Sequence, residues 1–319
     1  MTWGRRRAVL TMGAVAAGAL AAVLAGREMR DRRRDRAARA LYAQARVTPP
    51  TAPMRVYHLG HSLVGRDMPA MLAQLAGQGH SYASQLGWGT SLRQHWEPDA
   101  PINGFETENA HAQFMPARAA VGSGAFDAVI LTEMVELRDA LRYHDSAAYL
   151  ARWAALAHEA RPDTRLYLYE TWHRTDDPDG WLARIDADLD ALWLGKVAYP
   201  AAAATGRPIH VIPAGQVLAA IARAIAGQDG IGNLTTRDAL FARTDDGTPD
   251  AIHLSDLGAY AVALTHYAVL YHRSPEGLPL ALLRADGSAA QAPDAVAGAM
   301  MQRVVWDVVR RVQESGVAA

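Results

Sequence analysis

The sequence predicts an α/β fold, a doubly wound three-layer α/β/α sandwich around a five-stranded parallel sheet. Three observations lead there. Five short runs are apolar at nearly every position, helical patterns separate them, and two further helical patterns close the chain. A strand that is apolar on both sides must have both faces covered, which is the condition of a parallel sheet.

The elements follow in order. Arg5-Arg6-Arg7 precede Ala8 to Ala25, an uncharged, alanine-rich run of eighteen residues. This is the pattern of a signal or membrane-anchor segment, and RRAVL resembles the twin-arginine export signal. Val23-Leu24-Ala25 offers small residues for a signal peptidase. The basic GREMRDRRRDR that follows pulls the other way, towards the cytoplasmic side, and eighteen residues is near the lower limit for crossing a bilayer. Residues 1–46 are therefore read as a signal or anchor with a basic flank, with membrane association through residues 8–25 and a periplasmic, extracellular or membrane-anchored location. Cleavage stays open, and so does a plain basic, partly helical tail. RVTPPTAP starts at Arg46, so residues 47–54 form a proline-rich linker and residues 55–319 the folded domain.

The predicted strands are 55–60 (RVYHLG), 82–87 (YASQLG), 127–132 (DAVILT), 165–170 (RLYLYE) and 209–213 (IHVIP). Helical patterns cover 67–78, 146–160, 179–204, 214–226, 255–272 and about 292–314. The last carries Val296, Met300, Val304, Val308 and Val312 at intervals of four, a stripe expected to pack on the sheet. Residues 228–249 read as a long polar loop. The order is that of a flavodoxin-like sheet, in which ligands bind beyond the carboxyl ends of the strands at the topological switch point.

Composition removes several functions. There is no cysteine, so disulfides, thiolate catalysis and cysteine-ligated metals are excluded. Residues 1–46 hold eleven arginines and three acidic residues, and the remainder 21 basic against 30 acidic. That acidic domain is not built to bind nucleic acid, which needs a basic surface. The twelve histidines show no HExxH and no close ligand set, so neither a metal nor another cofactor is expected. GQDGIGNL, residues 227–234, lacks the strand before and helix after that a phosphate loop requires. His58 alternates with Tyr57 on a buried strand and reads as a satisfied core residue.

VYHLGHSLVG sets Ser62 where the first strand gives way to a helix. Serine there is also an ordinary N-cap or turn residue, so partners decide. Asp250 and His253 stand three apart, in a loop just before the apolar helix at 255–272. A hydroxyl needs an imidazole to take its proton, and a carboxylate fixes the imidazole's tautomer. Asp-x-x-His is common by chance; before the last helix of a five-strand α/β pattern that opens with Gly-x-Ser-Leu, it is far less so.

On these residues the chain resembles the SGNH hydrolases, the GDSL esterases and lipases, over nearly all of residues 55–275. Gly60-His61-Ser62-Leu63 matches the first block, with histidine where the family name has aspartate, and Asp250-Ala251-Ile252-His253-Leu254 matches the last. The resemblance implies Ser62 as nucleophile, His253 as general base and Asp250 as its orienter. LGHSLVG does not fit the later Gly-x-Ser-x-Gly elbow of α/β-hydrolases. LGWGTSLRQHW, residues 86–96, looks like the second block, whose glycine amide joins that of Ser62 in the oxyanion hole. Gly89 is the first choice and Gly87 the second; an ordinary turn is the other reading. The family's third-block asparagine is missing from LTEMVEL, residues 131–137, as in an atypical branch with poorly defined substrates, which YETWH (169–173) also resembles. Glu133 stands near that place. It is expected at the mouth of the site, anchoring a loop or binding a substrate hydroxyl, and not as a charged oxyanion donor. His95, Trp96, Trp172 and His173 either line the pocket rim, where they would suit a sugar ring or acyl group, or pack.

The expectation is a serine ester hydrolase that removes a small acyl group, possibly acetyl, from a carbohydrate or envelope-related substrate. Two other readings stay in view: a catalytically silent, envelope-tethered glycan-binding module of the same fold, and a flavodoxin-like nucleotide or cofactor binder. Fused to a reporter active only outside the cytoplasm, residues 1–46 should give signal; a soluble, silent cytoplasmic fusion would refute the export reading.

Overall fold

The computed structural model describes residues 25–26, 28–44 and 47–318 of the 319. The arginines at 5–7 and the apolar run, apart from its last residue, lie outside the described residues. Among the described residues no helix is long and apolar enough to cross a membrane.

The sheet has five parallel strands, β1 (Arg55–Leu59), β2 (Ser81–Gln85), β3 (Ala128–Leu131), β4 (Arg165–Glu170) and β5 (His210–Pro213), in the order β2-β1-β3-β4-β5. The fold is the three-layer α/β/α arrangement. Side chains alternate strictly between its two apolar layers: Val56, Ala128, Ile130, Tyr167 and Tyr169 enter one, and Tyr57, Leu59, Val129, Leu131, Leu166 and Leu168 the other. Burying each aliphatic side chain stabilises by roughly 1.5–3 kcal/mol. Both layers are apolar, which explains the absence of a polar alternation in the strand sequences.

The first layer centres on the helix Asp256–Tyr271, of whose 16 residues all but Asp256 and Ala259 are buried. It packs against the helices Asp67–Ala76, Ala214–Gly227 and Ala295–Arg311. That changes the reading of the last helix. Its buried face is Ala297, Gly298, Met300, Met301, Gln302, Val305, Val308 and Val309, resting chiefly on the two preceding helices; of the predicted stripe Met300 and Val308 are buried, while Val296 is 64% exposed. Steps of four residues drift by about 40° each around a helix, so the stripe 296–312 leaves the buried face at its ends.

The second layer holds Ser146–Ala160 and the later part of a long helix, the π-helical stretch Leu189–Ala198 and Tyr199–Thr205, whose first part, Trp181–Asp188, buries Trp181 and Ile185 in the first layer. Residues 28–44 are helical as well, and Ala38 and Tyr42 are buried in this layer. The Tyr42 hydroxyl donates to the Ile209 carbonyl at 2.6 Å and accepts from the Ile209 amide at 3.3 Å, satisfying backbone groups at the edge of the sheet.

Four short helices, Leu92–Trp96, Phe105–Glu108, Ala117–Val121 and Leu137–Tyr143, escape the sequence reading, being too short to show a period. One left a signal: Ser91 and Gln94 form a capping box. The long polar loop also needs correction. It contains β6 (Phe241–Arg243), which pairs antiparallel with β7 (Pro249–Leu254), so Asp250 and His253 sit on a strand and not in a loop. Asp246-Gly247 in the connecting turn is a hairpin signal.

The interior holds many neutral histidines. Burial pushes His61, His80, His95, His210, His266 and His272 down to about 4, and holds His58 well below the usual imidazole range. His58 is buried, but among the described residues neither ring nitrogen has a partner, so it is not the satisfied core residue expected. Burial pushes Glu133 and Glu170 up instead, to about 7 and about 8. Histidines lowered from 6.5 contribute stability that is present above 6.5 and lost as pH falls towards 4, by at most about 1.4 kcal/mol per pH unit each. The two glutamates act in the opposite sense and are outnumbered. The denaturant midpoint followed by tryptophan fluorescence should therefore fall steadily between pH 6.5 and 4; a flat profile would contradict the neutral interior.

Candidate functional site

The strand order reverses at β1 and β3, and their carboxyl ends approach closely. A Cβ at Gly60 would collide with the side chains of Thr132 and Val64, so only glycine fits there. Beyond it the chain turns, with the Val64 amide donating to the His61 carbonyl at 2.9 Å, and Ser62 lies on that turn.

Two buried imidazoles hold this turn. His95 Nε2 lies 2.8 Å from the Gly60 carbonyl, and its Nδ1 2.9 Å from Gln85 Nε2. His61 Nε2 lies 2.8 Å from the Glu133 carbonyl, with the Leu63 amide donating to its Nδ1 at 3.4 Å. Facing a carbonyl, each Nε2 must be the donor, so both rings are the neutral Nε2–H tautomer. Their lowered pKa values agree: burial disfavours the cation, against the opposing pull of the carbonyl. From the other side, the Tyr169 hydroxyl donates to the Leu63 carbonyl at 3.0 Å.

β7 brings up Asp250 and His253. His253 Nε2 is 3.2 Å from Ser62 Oγ, and His253 Nδ1 is 3.0 Å from Asp250 Oδ2. Asp250 Oδ1 accepts from the amides of Ile252 at 2.7 Å and His253 at 2.8 Å. Burial pushes this carboxyl up, but hydrogen bonds from the His253 amide, the imidazole and the Ile252 amide together hold it below the usual carboxylate range. An ionised Asp250 takes the proton on Nδ1, which leaves Nε2 to accept from the serine. The strand is anchored twice to the loop after β4, by Trp172 Nε1 donating to the Ile252 carbonyl and the Thr175 amide to the Ala251 carbonyl, both at 2.7 Å.

Ser62 and His253 open into a cavity of about 610 Å3, lined also by Leu63, Trp88, Gly89, Val135 and Ile252, with Glu108 and Arg174. Gly89 has φ +56, open to glycine and rare for other residues. Among the described residues neither the Ser62 amide nor the Gly89 amide has a hydrogen-bond acceptor. Gly87 is closed in, since a Cβ there would collide with Ile102 and Thr90.

Five sequence candidates lie off the lining of this cavity. Trp172 is buried, with its indole spent on β7, and it lines a smaller cavity of about 160 Å3 together with Ser62 and His253. His95 is buried beneath Gly60, and neither it nor Trp172 lines the large cavity. Trp96 packs edge-on to Trp153, and His173 is buried beside Asp188, so neither forms a rim. Glu133 is fully buried and not at the mouth. Its Oε1 accepts from the amides of Met134 at 2.8 Å and Leu92 at 3.2 Å, which ties the two flanking loops together. A carboxylate can satisfy two amides at once, and that demand draws it inward. Trp88, Glu108 and Arg174 were missed; the tryptophan between two glycines in LGWGT was their signal.

Known proteins add the fold. A solved structure of a DUF4886 family protein from Bacteroides uniformis matches 82% of this chain and 96% of its own, at 16% identity and a TM-score of 0.54. The chain shares that protein's fold. A second solved structure, a gut microbial diltiazem-metabolizing enzyme, aligns with 70% of this chain and 48% of its own at 12% identity and a TM-score of 0.36, too distant to carry an argument. No protein-family model and no curated protein matches the chain.

Among the described residues Glu133 Oε2 is buried without a partner, and burial raises the carboxyl to about 7 against the pull of the Met134 and Leu92 amides on Oε1. Its contribution to stability is fully present below 4.5 and lost as pH rises through 7. Glu133→Gln carries no such charge, so relative to wild type it should gain stability from pH 5 to pH 8 in urea unfolding. A difference that does not change with pH would contradict the buried, charge-averse carboxyl.

Proposed function

We propose that this protein is a serine ester hydrolase of the SGNH type, removing a small acyl group such as acetyl from a carbohydrate or related envelope substrate. The observation that carries the reading is the hydrogen-bonded line from Ser62 Oγ through the His253 ring to Asp250, at 3.2 and 3.0 Å, opening on a cavity. In this reading Ser62 Oγ attacks the ester carbonyl carbon as its proton passes to His253 Nε2. Asp250 stabilises the imidazolium, and the amides of Ser62 and Gly89 receive the oxyanion. Collapse of the tetrahedral intermediate breaks the ester C–O bond, with His253 returning the proton to the leaving alcohol. Water, deprotonated by His253, then releases the acid from the acyl-enzyme.

The third-block asparagine has no substitute in Glu133, whose occupied oxygen serves two backbone amides. Two backbone donors are left for the oxyanion, each worth about a hundredfold to a thousandfold in turnover. The lowered pKa of Asp250 supports a carboxylate that is ionised at neutral pH, as this reading requires. The large cavity and its aromatic mouth also suit a silent glycan-binding module, which would hold the same ligand without turnover.

The test uses the full chain and p-nitrophenyl acetate. Ser62→Ala and His253→Ala should each lower kcat by several orders of magnitude with unchanged thermal unfolding, since members of such a unit fail together. A fluorophosphonate should label the wild type at Ser62. Unchanged turnover in either variant, or labelling at another serine, would remove the assignment. Binding of acetylated sugar by a wild type without esterase activity would favour the silent module.

A further inference from the structure

The candidate cavity has a mouth to which the hydrolytic steps assign no role. Trp88 stands there 51% exposed, the largest exposed apolar side chain among the described residues. It is also held in place. Its Nε1 donates to Glu108 Oε1 at 2.7 Å, and its amide donates to the Asn103 carbonyl at 2.7 Å. One face of the indole rests on Gly104, whose φ is +68 and where a Cβ would collide with the ring. An apolar ring fixed from behind and left open to the cavity offers a preorganised flat surface, which lowers the ordering cost of binding.

The groups around it narrow the ligand. Glu108 and Arg174 line the same cavity. Trp88 uses one Glu108 oxygen, and Asp176 takes Arg174 Nε and Nη2 at 2.9 and 2.7 Å. Among the described residues Glu108 Oε2 and Arg174 Nη1 have no protein partner. An alkyl or aryl alcohol seated on Trp88 would strip water from both without replacing it, which is unfavourable. A sugar ring presents C–H bonds to an aromatic face and hydroxyls at its rim that both donate and accept. Trp88 also directly precedes Gly89, about 3.8 Å away from Cα to Cα. A ring on the indole therefore places an attached ester within reach of the Gly89 amide.

We propose that Trp88 is the stacking platform for the pyranose ring of the esterified alcohol, with Glu108 and Arg174 binding its hydroxyls. The proposal rests on the ester-hydrolase reading and names the alcohol that this site selects.

Binding of methyl 6-O-acetyl-glucopyranoside and of hexyl acetate is measured by calorimetry on the full chain carrying Ser62→Ala. Adding Trp88→Ala should weaken the glucoside at least tenfold and hexyl acetate less than threefold. Gly104→Ala, which keeps the indole in the chain but displaces it, should give the same selective loss. Equal losses for both ligands, or no loss for the glucoside, would overturn the platform. So would failure of the Ser62→Ala chain to bind the glucoside at millimolar concentration. Turnover of p-nitrophenyl acetate and of the acetylated glucoside by the chain with Ser62 intact tests the hydrolytic reading by itself. No turnover of either, with the glucoside still bound through Trp88, would remove the esterase and leave the pyranose platform standing.

Discussion

The site depends on the close approach of β1 and β3 at their carboxyl ends. The approach requires Gly60, because any side chain there meets Thr132 and Val64. It also leaves carbonyls at the end of a parallel sheet that the next strand cannot pair, and buried carbonyls need donors. His95 and His61 supply them to Gly60 and Glu133. A neutral imidazole donates on one side and accepts on the other, so each ring satisfies two groups and leaves no charge in the interior. Ser62 is thus set on a rigid turn by uncharged groups, while the ionised carboxylate of the site lies across the cavity on β7.

β7 is no part of the main sheet, and its position rests on the pairing with β6 and the two bonds from the loop after β4. That loop is restrained in turn by a buried guanidinium: Arg184 joins Asp177 at 2.6 Å, Asp188 at 3.0 Å and Glu136, which follows the cavity residue Val135. A buried cation shared among three carboxylates is costly to break, because each partner would be left unpaired. The walls of the cavity and the strand bearing His253 are therefore linked through one charge cluster remote from Ser62 Oγ.

Much of this was legible. The five strands fall within a residue or two of the apolar runs, because both faces of a parallel sheet are buried and the composition must say so. Ser62, Asp250 and His253 stand out because their spacing and order are unusual. The short helices and the β6–β7 hairpin did not show as periodic patterns, since segments of three to seven residues are too short to display a period. The inward placement of Glu133, His95 and Trp172 was hidden for another reason. Each is polar or amphipathic enough to belong at a pocket, and only its partners, two amides, a carbonyl and a glutamine, and the Ile252 carbonyl, draw it into the interior.

The sequence by itself determined the layers, the strand positions and the residue types able to form a serine, histidine and aspartate line, because burial and local spacing are properties of short segments. Only the tertiary structure decided that His253 Nε2 comes to 3.2 Å from Ser62 Oγ across 191 residues of chain, and that Trp88 lines the larger of the two cavities at Ser62 while Trp172 lines the smaller. Those outcomes depend on which backbone groups are left unpaired once the sheet has formed. The groups that satisfy them come from segments with no local reason to meet.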